Sequence, residues 1–219
     1  MLKPDWNAID TVLLDMDGTL LDLNFDNHFW QQHLPRRYAE HHGRDHEEVR
    51  SELMARFKAH EGTLPWYSVD FWSDQLSIDL MLLKQELVHL IDVHPGVLEF
   101  LAAARSGGKR LLLVTNAHHK SLDLKMERTG LSMHFDAMIT SHELGLPKED
   151  VAFWDKLRAV QSFDPARTLL VDDTISVLHS AHAYGIAELR TICRPDTCQP
   201  GRETTPYPAL NSFLDLLPL

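Results

Sequence analysis

This sequence has few cysteines and no long apolar run. The 219 residues include two cysteines, Cys193 and Cys198, which argues against a disulfide framework and fits a reducing compartment. No apolar stretch is long enough to span a bilayer, and the first residues lack the apolar region of a signal peptide. We therefore expect a cytoplasmic protein with no membrane partner.

Positive charge is also in short supply. Lysine and arginine total 21 against 32 aspartates and glutamates, which gives a formal net charge of −11. No lysine or arginine cluster could follow the phosphates of a nucleic acid, so that class of partner is disfavoured. A small phosphorylated substrate is still compatible with this charge, because a metal ion and one or two nearby cations set the field in such a site.

A short block near the N-terminus carries the strongest functional signal. The apolar residues 11–14 lead directly into DMDGT at positions 15–19. This order predicts a buried strand that delivers acids to its carboxyl end, where open α/β sheets bind ligands. Side chains alternate along a strand, so Asp15 and Asp17 would point to the same side. Two like charges there favour a compensating cation, and Mg²⁺ prefers oxygen ligands of this kind.

Strand and helix patterns alternate through residues 10–22 and 93–195. Such alternation predicts a parallel sheet with right-handed crossovers, and hence a doubly wound, Rossmann-like α/β fold. We expect the last strand at residues 189–192. A short closing helix is predicted at residues 210–217.

Residues 24–92 break this alternation. Their apolar residues recur at helical spacing and mark three helix faces. The pattern predicts an all-helical domain inserted after the first strand, with residues 1–23 and 93–219 forming the α/β core.

Three further motifs follow later in the chain. One apolar run ends in Thr115 and Asn116, Lys148 follows a Gly-Leu-Pro turn, and another apolar run ends in Asp172 and Asp173. Each motif alone is weak evidence. Together with DMDGT, in this order, they resemble the haloacid dehalogenase superfamily of phosphohydrolases over most of the chain. In that superfamily a helical insertion at this position is a cap that closes over the site and selects the substrate.

The resemblance implies phosphate-ester hydrolysis through an aspartyl-phosphate. Asp15 would be the nucleophile. Asp17 would protonate the leaving group and then deprotonate the attacking water. The dehalogenases of the superfamily lack an acid at this second position, so Asp17 favours a phosphatase.

The resemblance also implies a set of ligands. Mg²⁺ would be held by Asp15, by the backbone carbonyl of Asp17 and by Asp172, with Asp173 as a further ligand or an acid behind the ligands. The phosphate and substrate would be bound by polar side chains from the two middle motifs: Thr115, Asn116 and Lys148. The Lys148 ammonium would also keep Asp15 ionised.

Phrases inside the helical segment bear on the substrate. NHFW at positions 27–30, WY at 66–67 and WS at 72–73 resemble bacterial GMP/IMP nucleotidases. This resemblance implies hydrolysis of purine nucleoside 5′-monophosphates, GMP and IMP, to nucleoside and phosphate. Aromatic rings could stack on a purine, although rings at helical spacing more often pack a core.

Other functions with the same core motifs stay open. They are a phosphoglycolate or sugar-phosphate phosphatase and a phosphomutase. A binding module without catalysis would be marked by loss of Asp15 or Asp17, and both are present. The oligomeric state does not follow from the sequence.

Overall fold

The computed structural model describes residues 3–219, so the first two residues of the predicted core segment 1–23 lie outside the described residues. Within this range six parallel strands form one sheet in the order β3-β2-β1-β4-β5-β6. The strands in chain order are β1 (Thr11–Leu14), β2 (Arg110–Thr115), β3 (Ala137–Thr140), β4 (Thr168–Val171), β5 (Glu188–Ile192) and β6 (Ala209–Leu210).

Helices cover both faces of the sheet, which confirms the doubly wound α/β prediction. The core helices are α7 (Val97–Ser106), α8 (His119–Thr129), α9 (Ser141–Leu144), α10 (Val151–Val160) and α11 (Ile175–Tyr184), after the earlier α1–α6. In β1, Val12 and Leu14 pack in one apolar cluster with α7 and α8, whereas Leu13 packs in another with α10 and α11. Cover on both faces is why the strands are nearly continuous apolar runs.

After β1 and before α7, six α-helices form the predicted helical insertion. They are α1 (Asn24–His28), α2 (Leu34–His42), α3 (His46–Lys58), α4 (Leu64–Tyr67), α5 (Val69–Leu76) and α6 (Leu80–Gln85). A π-helical segment, Phe29–His33, joins α1 to α2. The insertion packs around aromatic rings in edge-to-face contact: the Phe57 centroid lies 4.7 Å from Trp72 and 5.2 Å from Trp30.

The C-terminal prediction was wrong in two respects. The strand expected as the last one, β5, is followed by β6, which pairs with it in parallel through Thr191 and Ala209. Leu210 is therefore strand rather than helix, and the closing helix shortens to a 3-10 turn at Phe213–Leu216. The physical reason is that β6 pairs with backbone groups that would otherwise stand unpaired along β5, and Leu210 is fully buried there.

None of the helices in residues 3–219 combines the length and the apolar character needed to cross a membrane.

Candidate active site

The acidic side chains of two motifs meet at the carboxyl edge of the sheet. Leu14 at the end of β1 is in register with Leu113 of β2 and Val171 of β4, so the residues that follow these strands emerge at the same edge. Carboxylate oxygens of three residues lie within 4.8 Å of one another, and all three side chains are buried: Asp15, Asp172 and Asp173. Such a group of oxygen donors could hold a divalent metal ion.

Lys148 lies among these acids. Its ammonium is buried and donates to Asp15 Oδ1 at 2.5 Å, to Asp172 Oδ2 at 2.7 Å and to the Val114 carbonyl at 3.0 Å. Burial lowers the pKa of Lys148, but the two carboxylates outweigh that effect and raise it. Lys148 is therefore a fixed positive charge at the base of the site.

The carboxylates respond mainly to burial. Loss of water raises the pKa of Asp15 to about 7 and that of Asp172 to about 6, with Lys148 opposing both shifts. The expectation that Lys148 favours the ionised form of Asp15 holds as a direction, but desolvation is the larger effect. Besides Lys148, the exposed Arg202 guanidinium lies 3.5 Å from Asp173. When all three carboxylates are ionised, they outnumber these two cations by one charge.

A tight turn after β1 allows the segment that carries Asp15 to pack closely against the loop after β4. Gly18 has φ +77°, and a Cβ at this position would lie 2.8 Å from Asp173 Cγ. The hydroxyl of Thr19 accepts a hydrogen bond from the Asp173 backbone N–H at 3.0 Å. The Gly-Thr pair thus allows the β1 turn to lie directly against the loop after β4.

Thr115 and Asn116 end the second strand at the same edge. Thr115 is buried, and its hydroxyl accepts from the Ala117 backbone N–H at 3.0 Å, as a residue that caps a turn does. The Asn116 amide bridges to the neighbouring motif, accepting from the Lys148 backbone N–H and donating to Glu149 Oε2, both at 2.9 Å. Asn116 therefore fixes the segment that carries Lys148.

Asp17 lies on the cavity side of the turn and is partly exposed. Its Oδ1 accepts from Lys125 of α8 at 2.6 Å. The same ammonium donates to Asp26 of α1 at 2.6 Å, and Asp26 also accepts from Lys84 of α6 at 3.0 Å. Asp17 is thus connected to two helices of the insertion through buried charges.

One cavity of about 880 Å³ lies between the sheet edge and the helical insertion. Its floor includes six of the predicted site residues, namely Asp15, Asp17, Thr115, Asn116, Lys148 and Asp173. Its upper wall includes aromatic side chains of the insertion: Trp30, Phe57, Trp66, Tyr67 and Trp72. The volume is within the range of pockets that bind organic ligands, and its lining is charged at one end and aromatic at the other.

The order of motifs and the doubly wound sheet agree with a comparison against protein families. A family model described as haloacid dehalogenase-like hydrolase matches residues 9–185. This chain is a haloacid dehalogenase-like hydrolase. The matched range includes the helical insertion and every predicted site residue.

Individual relatives of this haloacid dehalogenase-like hydrolase include phosphatases. The GMP/IMP nucleotidase YrfG of Escherichia coli K12 is 36% identical over 213 residues, which cover 97% of this chain and 96% of YrfG. A phosphoglycolate phosphatase of Mesorhizobium japonicum is 26% identical over 193 residues, covering 80% of this chain and 79% of the relative. A haloacid dehalogenase-like phosphatase from Thermococcus onnurineus has the same fold, with a TM-score of 0.79, 22% identity and coverage of 95% and 96%. The chain is a phosphatase of this family.

Sequence reasoning missed several charged residues that line the cavity of this haloacid dehalogenase-like hydrolase: Asp26, Lys84, Lys125 and Glu149. A signal for one of them was present. Lys125 falls beside Leu122 and Met126 on the buried side of α8, and a lysine there calls for a buried acid as partner. The acid that pairs with Lys125 is determined by the packing of α8 against the insertion. A local sequence pattern does not predict this packing.

Proposed function

We propose that this phosphatase hydrolyses purine nucleoside 5′-monophosphates such as GMP and IMP. The cavity carries this proposal, because it joins a charged floor to an aromatic wall within one space of about 880 Å³. A nucleotide matches these two ends of the cavity, because its phosphate binds cations and its flat base can stack on an aromatic ring. The similarity to YrfG, a GMP/IMP nucleotidase, supports the same substrate class.

Asp15 and Asp17 divide the chemistry in this proposal. A carboxylate oxygen of Asp15 attacks phosphorus, the bond to the 5′ oxygen breaks, and Asp17 gives its proton to that leaving oxygen. Water then attacks the aspartyl-phosphate, and its proton passes to Asp17. Inorganic phosphate leaves and both acids return to their starting states.

The remaining floor residues hold the phosphate. Lys148 offsets its charge, and the Thr115 hydroxyl donates to one of its oxygens. Asn116 keeps Lys148 in position through the two hydrogen bonds described above.

Mg²⁺ fits the donor set at the sheet edge. Its ligands would be Asp15, Asp172 and the Asp17 backbone carbonyl, with Asp173 as a further ligand. The carboxylates are hard oxygen donors, and their negative excess is the charge that a divalent cation would offset. When bound, the ion supplies charge neutralisation for the phosphoryl oxygens.

We further propose that residues 24–92 act as a cap over a core formed by residues 1–23 and 93–219. Hydrogen bonds between the two segments support a cap that lies closed against the core. Tyr67 donates to Glu149 at 2.5 Å, and Lys120 donates to Asp70 at 2.7 Å. A cap in this position excludes water from the phosphate end of the cavity.

Phosphate release with Mg²⁺ tests the proposal directly. The panel comprises GMP, IMP, AMP, CMP, phosphoglycolate and several sugar phosphates, each with the wild type and Asp15→Asn. We expect the highest kcat/KM for GMP and IMP, and loss of activity in Asp15→Asn with an unchanged thermal melt. Preference for phosphoglycolate or a sugar phosphate would overturn the nucleotide assignment and keep the core chemistry. Full activity in Asp15→Asn would overturn the mechanism.

A further inference from the structure

A buried row of alternating charges, called the charge row below, runs from Asp17 into the helical insertion. Lys125 donates to Asp17 Oδ1 and to Asp26 Oδ2, both at 2.6 Å. Lys84 donates to Asp26 Oδ1 at 3.0 Å. The side chains of both lysines are 2% exposed, and all four residues line the cavity. The row is neutral when both carboxylates are ionised and both lysines are protonated.

The row connects three helices. Asp26 belongs to α1, Lys84 to α6 and Lys125 to α8. The Lys84 ammonium also lies 4.5 Å from the ring centre of Phe29 and 4.9 Å from that of Phe25, where ring faces attract a cation. Asp26 is therefore held between a helix of the insertion and a helix of the core. Its contact with Lys125 exists when the insertion lies against α8.

Stability is a weak explanation for such a row. Removing charges from water costs several kcal/mol per ion, and apolar side chains at buried ion-pair positions are often equally stabilising. Leu122 and Met126, the buried neighbours of Lys125 on α8, show that this side of the helix accepts apolar residues. Lys125 differs from these two apolar neighbours in that its ammonium contacts Asp17, the proposed general acid.

We propose that Lys125 is a positioning residue that orients the Asp17 carboxyl toward the ester oxygen, and that Asp26 makes this orientation depend on closure of the insertion over the core. The inference rests on the proposed function, because it assigns Asp17 the role of proton donor and acceptor. It adds a residue that the sequence motifs do not contain.

The geometry assigns different tasks to the two oxygens of Asp17. Lys125 engages Oδ1, so Oδ2 is the oxygen that carries the proton. In the first step that proton moves from Oδ2 to the leaving oxygen as the phosphorus–oxygen bond breaks and the bond to Asp15 forms. In the second step a water proton returns to Oδ2 as the Asp15–phosphate bond breaks. Lys125 keeps its own protons throughout and touches neither the phosphorus nor the water.

The test compares Lys125→Met with Lys120→Met. Lys120 is a matched control because it lies on the same helix and also pairs with an acid of the insertion, Asp70, but it is exposed. Both variants are assayed with GMP, and with p-nitrophenyl phosphate, whose leaving group needs no proton. Thermal melts followed by circular dichroism report the fold of each variant.

For Lys125→Met we expect kcat on GMP to fall by about 10- to 100-fold, since misplacing a general acid forfeits part of its usual contribution. KM should stay within about 3-fold, because Lys125 does not bind the phosphate. With p-nitrophenyl phosphate we expect a burst of p-nitrophenolate at the wild-type rate, followed by slow turnover, because water activation still needs Asp17. Lys120→Met should behave as the wild type does.

Two results would overturn the inference. A rise in KM with unchanged kcat would make Lys125 a substrate ligand, and wild-type kinetics in Lys125→Met would make the row structural. If Lys125→Met does not fold, Asp26→Asn serves instead: it keeps the Lys125–Asp17 pair and should lower kcat by about 3- to 10-fold at constant KM, and unchanged kcat would refute the coupling. If the wild type does not hydrolyse GMP, the proposed function fails, and the same variants are then compared on the substrate that the wild type prefers.

Discussion

Lys148 is the cation that contacts two of the three buried carboxylates of the site. Its ammonium contacts two carboxylates and a backbone carbonyl while almost fully buried. A buried lysine requires partners of this kind, because its desolvation is otherwise too costly. The Asn116 amide in turn accepts from its backbone N–H, so the position of the ammonium is set by hydrogen bonds on both sides.

Gly18 offers a mutational test at the scale of one residue. Gly18→Ala should destabilise the protein by about 2–4 kcal/mol, because the new Cβ meets Asp173 and the backbone is left-handed. Urea unfolding measures the change. The control is Gly43→Ala, where φ is +61° and the space is open; it should cost about 1–2 kcal/mol. Equal losses in the two variants would show that contact with Asp173 plays no part.

At the scale of elements, the site depends on where three strands end. The register of β1 with β2 and β4 places Asp15 beside the residues that follow Leu113 and Val171. The helical insertion then supplies the opposite wall. The aromatic rings of that wall pack against one another, as expected for rings at helical spacing. They also line the cavity, and stacking on a purine stays a prediction.

Helix α4 allows the role of the aromatic wall to be measured. Trp66 is partly exposed, and its side chain lines the cavity, whereas its backbone carbonyl accepts from Trp72. Trp66→Leu keeps that backbone contact and should lower kcat/KM for GMP by about 10-fold through lost stacking. The value for phosphoglycolate, which has no ring, should change by less than about 2-fold. An equal loss on both substrates would argue against a base-stacking role.

The same elements show how far the sequence is predictive. The strands around the site could be predicted because each is a short, doubly covered apolar run that ends in a polar motif. Strand β6 could not, because its two residues have no pattern of their own and form a strand only by pairing with β5. Likewise Asp15 and Lys148 follow from motifs, whereas Lys125 acquires its role from the packing of α8 against α1, which is a long-range contact.

At the scale of the whole molecule, negative charge dominates. The formal net charge is −11, and within the site carboxylates outnumber the cations that contact them. An acidic protein that handles an anionic substrate needs a local positive field, and the proposed Mg²⁺ ion together with Lys148 would supply it.

Metal binding should therefore stabilise the folded protein. Mg²⁺ at 100 times its dissociation constant is expected to add about 2.7 kcal/mol to the free energy of unfolding, and a chelator should remove that increment. Asp172→Asn should abolish most of the response. The exposed acid Asp155 on α10 provides the control Asp155→Asn, which should respond as the wild type does. A full Mg²⁺ response in Asp172→Asn would contradict the proposed ligand set.

Covalent trapping of the phosphoenzyme tests the central claim most directly. Wild-type protein with Mg²⁺ and GMP labelled in its phosphate is quenched with acid within the first turnover, digested and analysed by mass spectrometry. We predict a phosphoryl group on the peptide that contains Asp15, and its absence in Asp15→Asn. A first turnover that releases phosphate with no label on this peptide would contradict the account.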